Sequence, residues 1–286
     1  YPAEKIEFIF ITDGSTDDTY NVVQKNISSS AYKIRLEHRD ERKGKQHAID
    51  RIIPDLKSEI IIFNDCNTII NEDAIKLMTR HFQLANVGVV TGEKKVISND
   101  KDEAVNSGEG MYWRYESFLK RMEAHFHTTI GSPGELFAIR KKLYEPVPKD
   151  IAIEDFYLSM KIVLKSYRNI YEPGAIAKEY GSASLGDEMK RKRRIASGAF
   201  TSMFRFPEIW KPRHWKTAFL YLSHRVFRWT LAPLCLLVML LSNFFITEGL
   251  FFWLLLGQFL FYITALTGYL FHKRKIKFKI FFVPMY

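Results

Sequence analysis

This chain has almost no cysteine. Only two of its 286 residues are Cys: Cys66, beside an aspartate, and Cys235, inside an apolar run. That excludes a disulfide-stapled scaffold and fits a reducing compartment. Acidic side chains are in deficit: 32 Asp and Glu face 42 Lys and Arg, for a net charge of +10. A nucleic acid would absorb that charge, but no nucleic-acid-binding motif accompanies it, so nucleic acid is not an expected partner. No signal peptide is expected, and the sequence does not begin with Met. The chain starts at Tyr1-Pro2 and stops at Tyr286 within an apolar stretch, which reads as a fragment cut at both ends.

Charge is absent from two long stretches, residues 229–246 and 250–271. About 20 apolar residues cross a bilayer, so each is expected to span one. The link between them, Thr247-Glu248-Gly249, has no Lys or Arg, whereas both outer flanks are basic: Arg225 and Arg228 before, Lys273 to Lys279 after. Lys and Arg accumulate on the cytoplasmic side. A hairpin with both flanks in the cytoplasm is therefore expected, with a lipid bilayer as partner. A buried helical hairpin of a soluble core is the alternative. Ahead of it, Thr201 to Arg228 mixes Phe, Trp, Leu and Tyr with Arg, Lys and His and is broken by Pro207 and Pro212. That composition suits an amphipathic helix lying in the interface. The chain thus divides into three regions: a cytosolic domain over 1–198, an interfacial region over 199–228, and over 229–286 a membrane hairpin with the start of a further membrane segment. The expected location is the inner cell membrane, multi-pass, with the first domain in the cytoplasm.

The first region is built from strands that end in polar turns. Ile60 to Phe63 is a run of β-formers ending in Asn64-Asp65-Cys66-Asn67, as in a fully buried strand of a parallel sheet. Ligands of open α/β sheets sit beyond the carboxyl ends of the strands. Asp65 and Asn67 are thus where a divalent cation and a diphosphate are expected; an ordinary Asx turn is the alternative. Lys5 to Thr12 runs into Asp13-Gly14-Ser15, a strand–turn–helix unit that can present a carboxylate and free N–H groups to a nucleotide, or simply cap a helix. Lys43 and Lys45 flank Gly44 at a helix start, which suits a phosphate or a solvated loop. The order β-α-β-α-β-α-β through Thr91 predicts a doubly wound, mostly parallel sheet.

Further on, a long helix over 110–127 carries Tyr and Trp that would line a sugar site or pack in a core. Gly131 to Arg140 is a glycine turn feeding a short strand, where a ligand can approach the backbone. Glu154-Asp155 opens an apolar-periodic helix. Acids favour that place through the helix dipole, and a carboxylate in a cleft can also act as general base toward a sugar hydroxyl. Tyr171 to Glu179 reads as a last edge strand. Lys190 to Arg194 is an unbroken cation run, suited to a departing diphosphate or to anionic headgroups.

Together these residues resemble the membrane-embedded synthases of glycosyltransferase family 2, the group of cellulose, hyaluronan and poly-N-acetylglucosamine synthases. The resemblance implies a GT-A type α/β domain and inverting transfer from a nucleotide-sugar, a UDP-sugar by expectation, to a polysaccharide or glycolipid acceptor. It gives Asp13-Gly14-Ser15 to the base and ribose, and Lys43 and Lys45 remain donor candidates. Asp65-Cys66-Asn67 stands at the family's Asp-x-Asp motif for Mg²⁺ or Mn²⁺ and phosphate, and the segment with Gly134 and Glu135 at the acceptor. It makes Asp155 the catalytic base with Glu154 its neighbour, and puts Arg191 and Arg194 at the diphosphate in the Gln-x-x-Arg-Trp element. The sequence departs from the family at three points: Asn67 replaces an Asp, Arg191 a Gln and Ile195 a Trp. The first removes one negative charge from the metal site, where Asp65 with the donor diphosphate could still suffice; the last removes an indole from the acceptor site and puts processive elongation in doubt. The family's first strand and Asn-Glu motif are expected ahead of Tyr1, and membrane partner subunits are a further expectation. Rival readings are a single-sugar transferase to a lipid carrier, a degraded nucleotide-sensing membrane protein and, remotely, a nucleotidyltransferase.

Overall fold

A computed structural model describes residues 1–97, 103–180, 185–245 and 248–273. Residues 274–279 of the basic flank, Thr247 of the link and the final apolar stretch lie outside the described residues. Residues 99–107 read from composition as a polar loop; 99–102 also lie outside, and 103–107 are corrected to helix, since the long helix expected from 110 starts at Glu103.

Two sheets form. Strands β1 (Glu7–Asp13) and β2 (Lys33–Arg39) pair in parallel, joined by helix α1 (Thr19–Ile27). Helix α2 (Lys45–Ile52) then leads to the larger sheet. Its five strands are β3 (Ile60–Asn64), β4 (Thr68–Ile70), β5 (Val87–Ile97), β6 (Leu136–Arg140) and β7 (Arg168–Tyr180), in the order β3-β6-β5-β7-β4. Only β5 and β7 run parallel; β3–β6, β5–β6 and β4–β7 are antiparallel. The expectation of a mostly parallel sheet is corrected to a mixed one. The reason lies in α4 (Glu103–Phe126). After this long helix the chain re-enters between β3 and β5 from the opposite end. The supposed edge strand is also corrected: β7 lies between β5 and β4. Strand β4 is three residues long, too short to show a period.

Helices α3 (Ala74–Thr79) and α5 (Glu154–Leu164) cover opposite faces of this sheet. Met78 and Phe82 pack with Val87, Val90, Leu136 and Ala138 on one face. Leu158 and Ile162 of α5 pack with Ile61, Val89, Phe137 and Ile139 on the other. Burying each such side chain is worth about 1.5–3 kcal/mol. Since α5 is buried along most of its length, its first turn, with Glu154 and Asp155, is held rigidly against the sheet.

A third cluster joins α5 to the C-terminal third of the chain. Phe156 and Met160 meet Phe206, Ile209, Leu220 and Tyr221, which come after α6 (Leu185–Met203) and include part of α7 (Trp215–Tyr221). A stretch of wider π-type turn (Leu222–Val226) leads through α8 (Phe227–Trp229) to α9 (Leu231–Asn243) and α10 (Leu250–Lys273). The path over Pro212–Trp229 and Leu231–Asn243 bends by 47°. Helix α9 alone is therefore shorter than the expected first span. Among the described residues one helix, over Leu250–Gly268, is long and apolar enough to cross a bilayer, or two if the bent pair counts as one span. Buried Asn243 and Gln258 hydrogen-bond across α9 and α10 at 3.4 Å, while the surrounding Leu and Phe face outward.

Candidate active site

Two loops and one helix start converge at the carboxyl end of β3. The first loop is propped by Asp13. Its carboxylate accepts N–H bonds from Lys43, at 3.0 and 3.2 Å, and from Gly44, at 2.6 Å. Desolvation works against the charge, but these bonds, with Arg42 and His47 nearby, hold Asp13 below the ordinary carboxylate range. Gly14 makes the turn possible: its φ is +65°, and a Cβ there would stand 2.7 Å from Arg42 Cβ. Lys43 puts its ammonium on Glu41 at 2.9 Å, and Ser15 is exposed.

The propped loop sets the start of α2, and so Lys45. Its ammonium lies 2.7 Å from Asp65 Oδ1 and 3.4 Å from Glu154 Oε1. Burial disfavours that charge, but Asp65, Glu154 and Asp155 outweigh it and hold Lys45 above its ordinary range. One cation thus gathers carboxylates from β3 and α5.

Gly134 completes the arrangement. A Cβ at this position would lie 3.1 Å from Asp155 Oδ2 and 3.7 Å from Asp65 Oδ2. The free oxygens of both aspartates therefore face one small space that only glycine leaves open. Asp155 Oδ1 accepts the Phe156 N–H at 2.9 Å, which orients Oδ2 toward that space. Burial first, and the neighbouring charge of Glu154 second, push the Asp155 carboxyl up to about 7. A carboxyl poised there is suited to proton transfer near neutrality.

Other residues are placed differently from expectation. Asn67 gives its amide nitrogen to Glu179 at 2.6 Å, leaving only its carbonyl oxygen for a cation. Glu135 commits its carboxylate to Lys94, which also pairs with Glu179. The sequence signal for this link is slight, since Lys94 lies in a strand between Glu93 and Lys95 and Glu179 in another. Arg191 and Arg194 lie on α6, two turns and one turn before Gly198. That glycine packs against Ala152 and Ile153, just ahead of Glu154. Among the described contacts Arg194 makes none with Asp65, Glu154 or Asp155, and no group of three or more His, Cys, Asp or Glu forms a metal cage. The donor set fits Mg²⁺ or Mn²⁺ only as one protein carboxylate plus substrate phosphates, a usual arrangement for the smaller ion.

A mixed sheet between helices, with carboxylates at its strand ends, is a GT-A-like glycosyltransferase fold. It superposes with a TM-score of 0.65 on a mannosyltransferase from Pyrobaculum calidifontis solved with GDP-mannose and Mn²⁺, over 99% of this chain and 77% of that one at 19% identity. The chain belongs to glycosyl transferase family group 2, which residues 60–269 match. It is similar to the poly-β-1,6-N-acetyl-D-glucosamine synthase of Staphylococcus aureus, 27% identical over 209 residues, 71% of this chain and 49% of that protein. The synthase of Staphylococcus epidermidis is 25% identical over 230 residues, 78% of this chain and 53% of that protein. The chain spans about half the length of the curated relatives it matches.

Proposed function

We propose that this chain carries the catalytic centre of an inverting glycosyltransferase, working at the cytoplasmic face of a membrane. It would move a sugar from a nucleotide-sugar, a UDP-sugar by preference, to a glycan or glycolipid acceptor. The observation that carries the proposal is the space beside Gly134, into which both Asp155 and Asp65 open. An acceptor hydroxyl there loses its proton to Asp155 Oδ2 as its oxygen bonds to the anomeric carbon. The bond from that carbon to the diphosphate oxygen breaks on the opposite side, so configuration inverts. Lys45, freed from Asp65 by the arriving diphosphate, takes the phosphate charge. Arg191 and Arg194 approach from α6, and Asp13 with Gly14 and Ser15 holds the nucleoside end. Asp65, with the carbonyl of Asn67, would hold Mg²⁺ or Mn²⁺, which when bound neutralises charge on the leaving diphosphate.

A second reading shares this centre: transfer of one sugar to a lipid carrier. It is favoured by Ile195, an exposed aliphatic residue where the family resemblance expects an indole. Both readings place α9, α10 and the segment before them in or on a bilayer, and the outward-facing Leu and Phe of both helices support that. The test is incubation of membranes holding the full-length protein with a panel of UDP-sugars and Mg²⁺ or Mn²⁺, reading UDP release and product size together. A ladder of products indicates polymerisation; a single addition indicates the second reading. Asp155→Asn should slow transfer at least about 100-fold while donor binding stays nearly intact, and unimpaired turnover of that variant would end the assignment.

A further inference from the structure

Lys94 lies on β5 with its side chain 1% exposed. The ring of Trp113 covers its ammonium at 4.8 Å. Burial alone would drive this amine toward neutrality, but Glu135 and Glu179 hold it charged, above its ordinary range. The two carboxylates lead to different parts of the site. Glu179, opposite Thr68 in the β4–β7 register, accepts the Asn67 amide at 2.6 Å, two residues beyond Asp65. Glu135 comes directly after Gly134, whose missing side chain leaves the space shared by Asp65 and Asp155. The chain Asn67–Glu179–Lys94–Glu135 therefore runs behind the site from one loop to the other.

We propose that Lys94 is a positioning residue: one buried cation that ties the Asp65–Asn67 turn to the Gly134–Glu135 segment and so fixes the spacing of the two sides of the site. The role rests on the sugar-transfer reading above. Lys94 touches no substrate. Removing it alone leaves Glu135 and Glu179 partly buried and uncompensated, and the segments they anchor are pushed apart. As stability alone, such a pair adds little over an apolar replacement; its value here is geometric.

The test is the variant Lys94→Met/Glu135→Gln/Glu179→Gln in the full-length protein. It removes all three charges and keeps side-chain size and an acceptor oxygen for Asn67. A small misplacement of reacting groups costs about 100-fold, so kcat is expected to fall about ten-fold or more while the KM for nucleotide-sugar moves less than about three-fold. Hydrogen exchange is expected to quicken together in residues 64–70 and 130–136. Wild-type kcat with unchanged exchange in both segments overturns the proposal. Should the triple variant not fold, Glu135→Gln and Glu179→Gln are made singly and together. Coupling through Lys94 makes the combined kcat loss differ from the product of the single losses; a simple product overturns it. A wild-type protein that transfers from no nucleotide-sugar ends the functional reading instead. The exchange experiment still decides the Lys94 link, since segments that respond separately overturn it.

Discussion

The aspartate at the start of α5 sits half in the protein, next to another acid, and titrates near 7 for those two reasons. Under the proposed mechanism Asp155 acts as base in its ionised form, so transfer should rise with pH through about 7 and level off above. Asp155→Asn should be at least about 100-fold slower, the low end for loss of a general base, with that pH step gone. Stability has the opposite sign. The folded-state pKa lies above that of the unfolded chain, so the favourable contribution is complete below about pH 4 and disappears as pH climbs to about 7. Asp155→Asn should therefore gain stability relative to the wild type over that window, measured by denaturant unfolding at each pH. Gly134→Ala puts a methyl 3.1 Å from Asp155 Oδ2. It should lower kcat about ten-fold or more through a displaced carboxylate with little change in melting temperature, as read by initial rates beside thermal unfolding.

Among the elements, the β1–α1–β2 unit and the loop before α2 act as a holder for Lys45. Asp13 does this through three backbone hydrogen bonds to Lys43 and Gly44. Asp13→Ala should free the loop and raise the donor KM more than it lowers kcat, measured by titration of the nucleotide-sugar. Strands β1, β2, β3 and β6 and helices α1, α2 and α5 were legible because each carries a clean apolar run or period bounded by Gly, Asp or Asn. Strand direction was not. A buried strand is apolar on both faces whether its neighbour runs with it or against it, so the antiparallel entry of β6 left no mark. The three residues of β4 are too few to show a period, and the interior place of β7 was hidden for the same reason as strand direction. Asn67 was legible as a changed residue, but its bond to Glu179 joins positions far apart in the chain and only pairing of β4 with β7 creates it.

At the scale of the molecule, α4 is clamped to the segment before the apolar helices by buried ions. Glu116 meets Arg225, Arg228 and His224, and Glu123 takes the other nitrogen of His224. Glu116 is 3% exposed, so Glu116→Ala removes the carboxylate shared by Arg225, Arg228 and His224 and should cost about 3–5 kcal/mol, read by thermal unfolding in detergent. Under the membrane proposal the full-length protein should stay in the pellet after an alkaline carbonate wash; release into the supernatant would contradict it.

Amino-acid order alone determined which residues carry charge into the site, where α2 and α5 begin, and which long stretches carry no charge, because these depend on neighbours in the chain. Tertiary structure decided that Asp65 and Asp155 share one space, that Lys45 pairs with Asp65 and Glu154 while Lys94 pairs with Glu135 and Glu179, and that the chain bends at Thr230. Contacts between residues tens of positions apart depend on strand order and helix packing, and no local pattern encodes those distances.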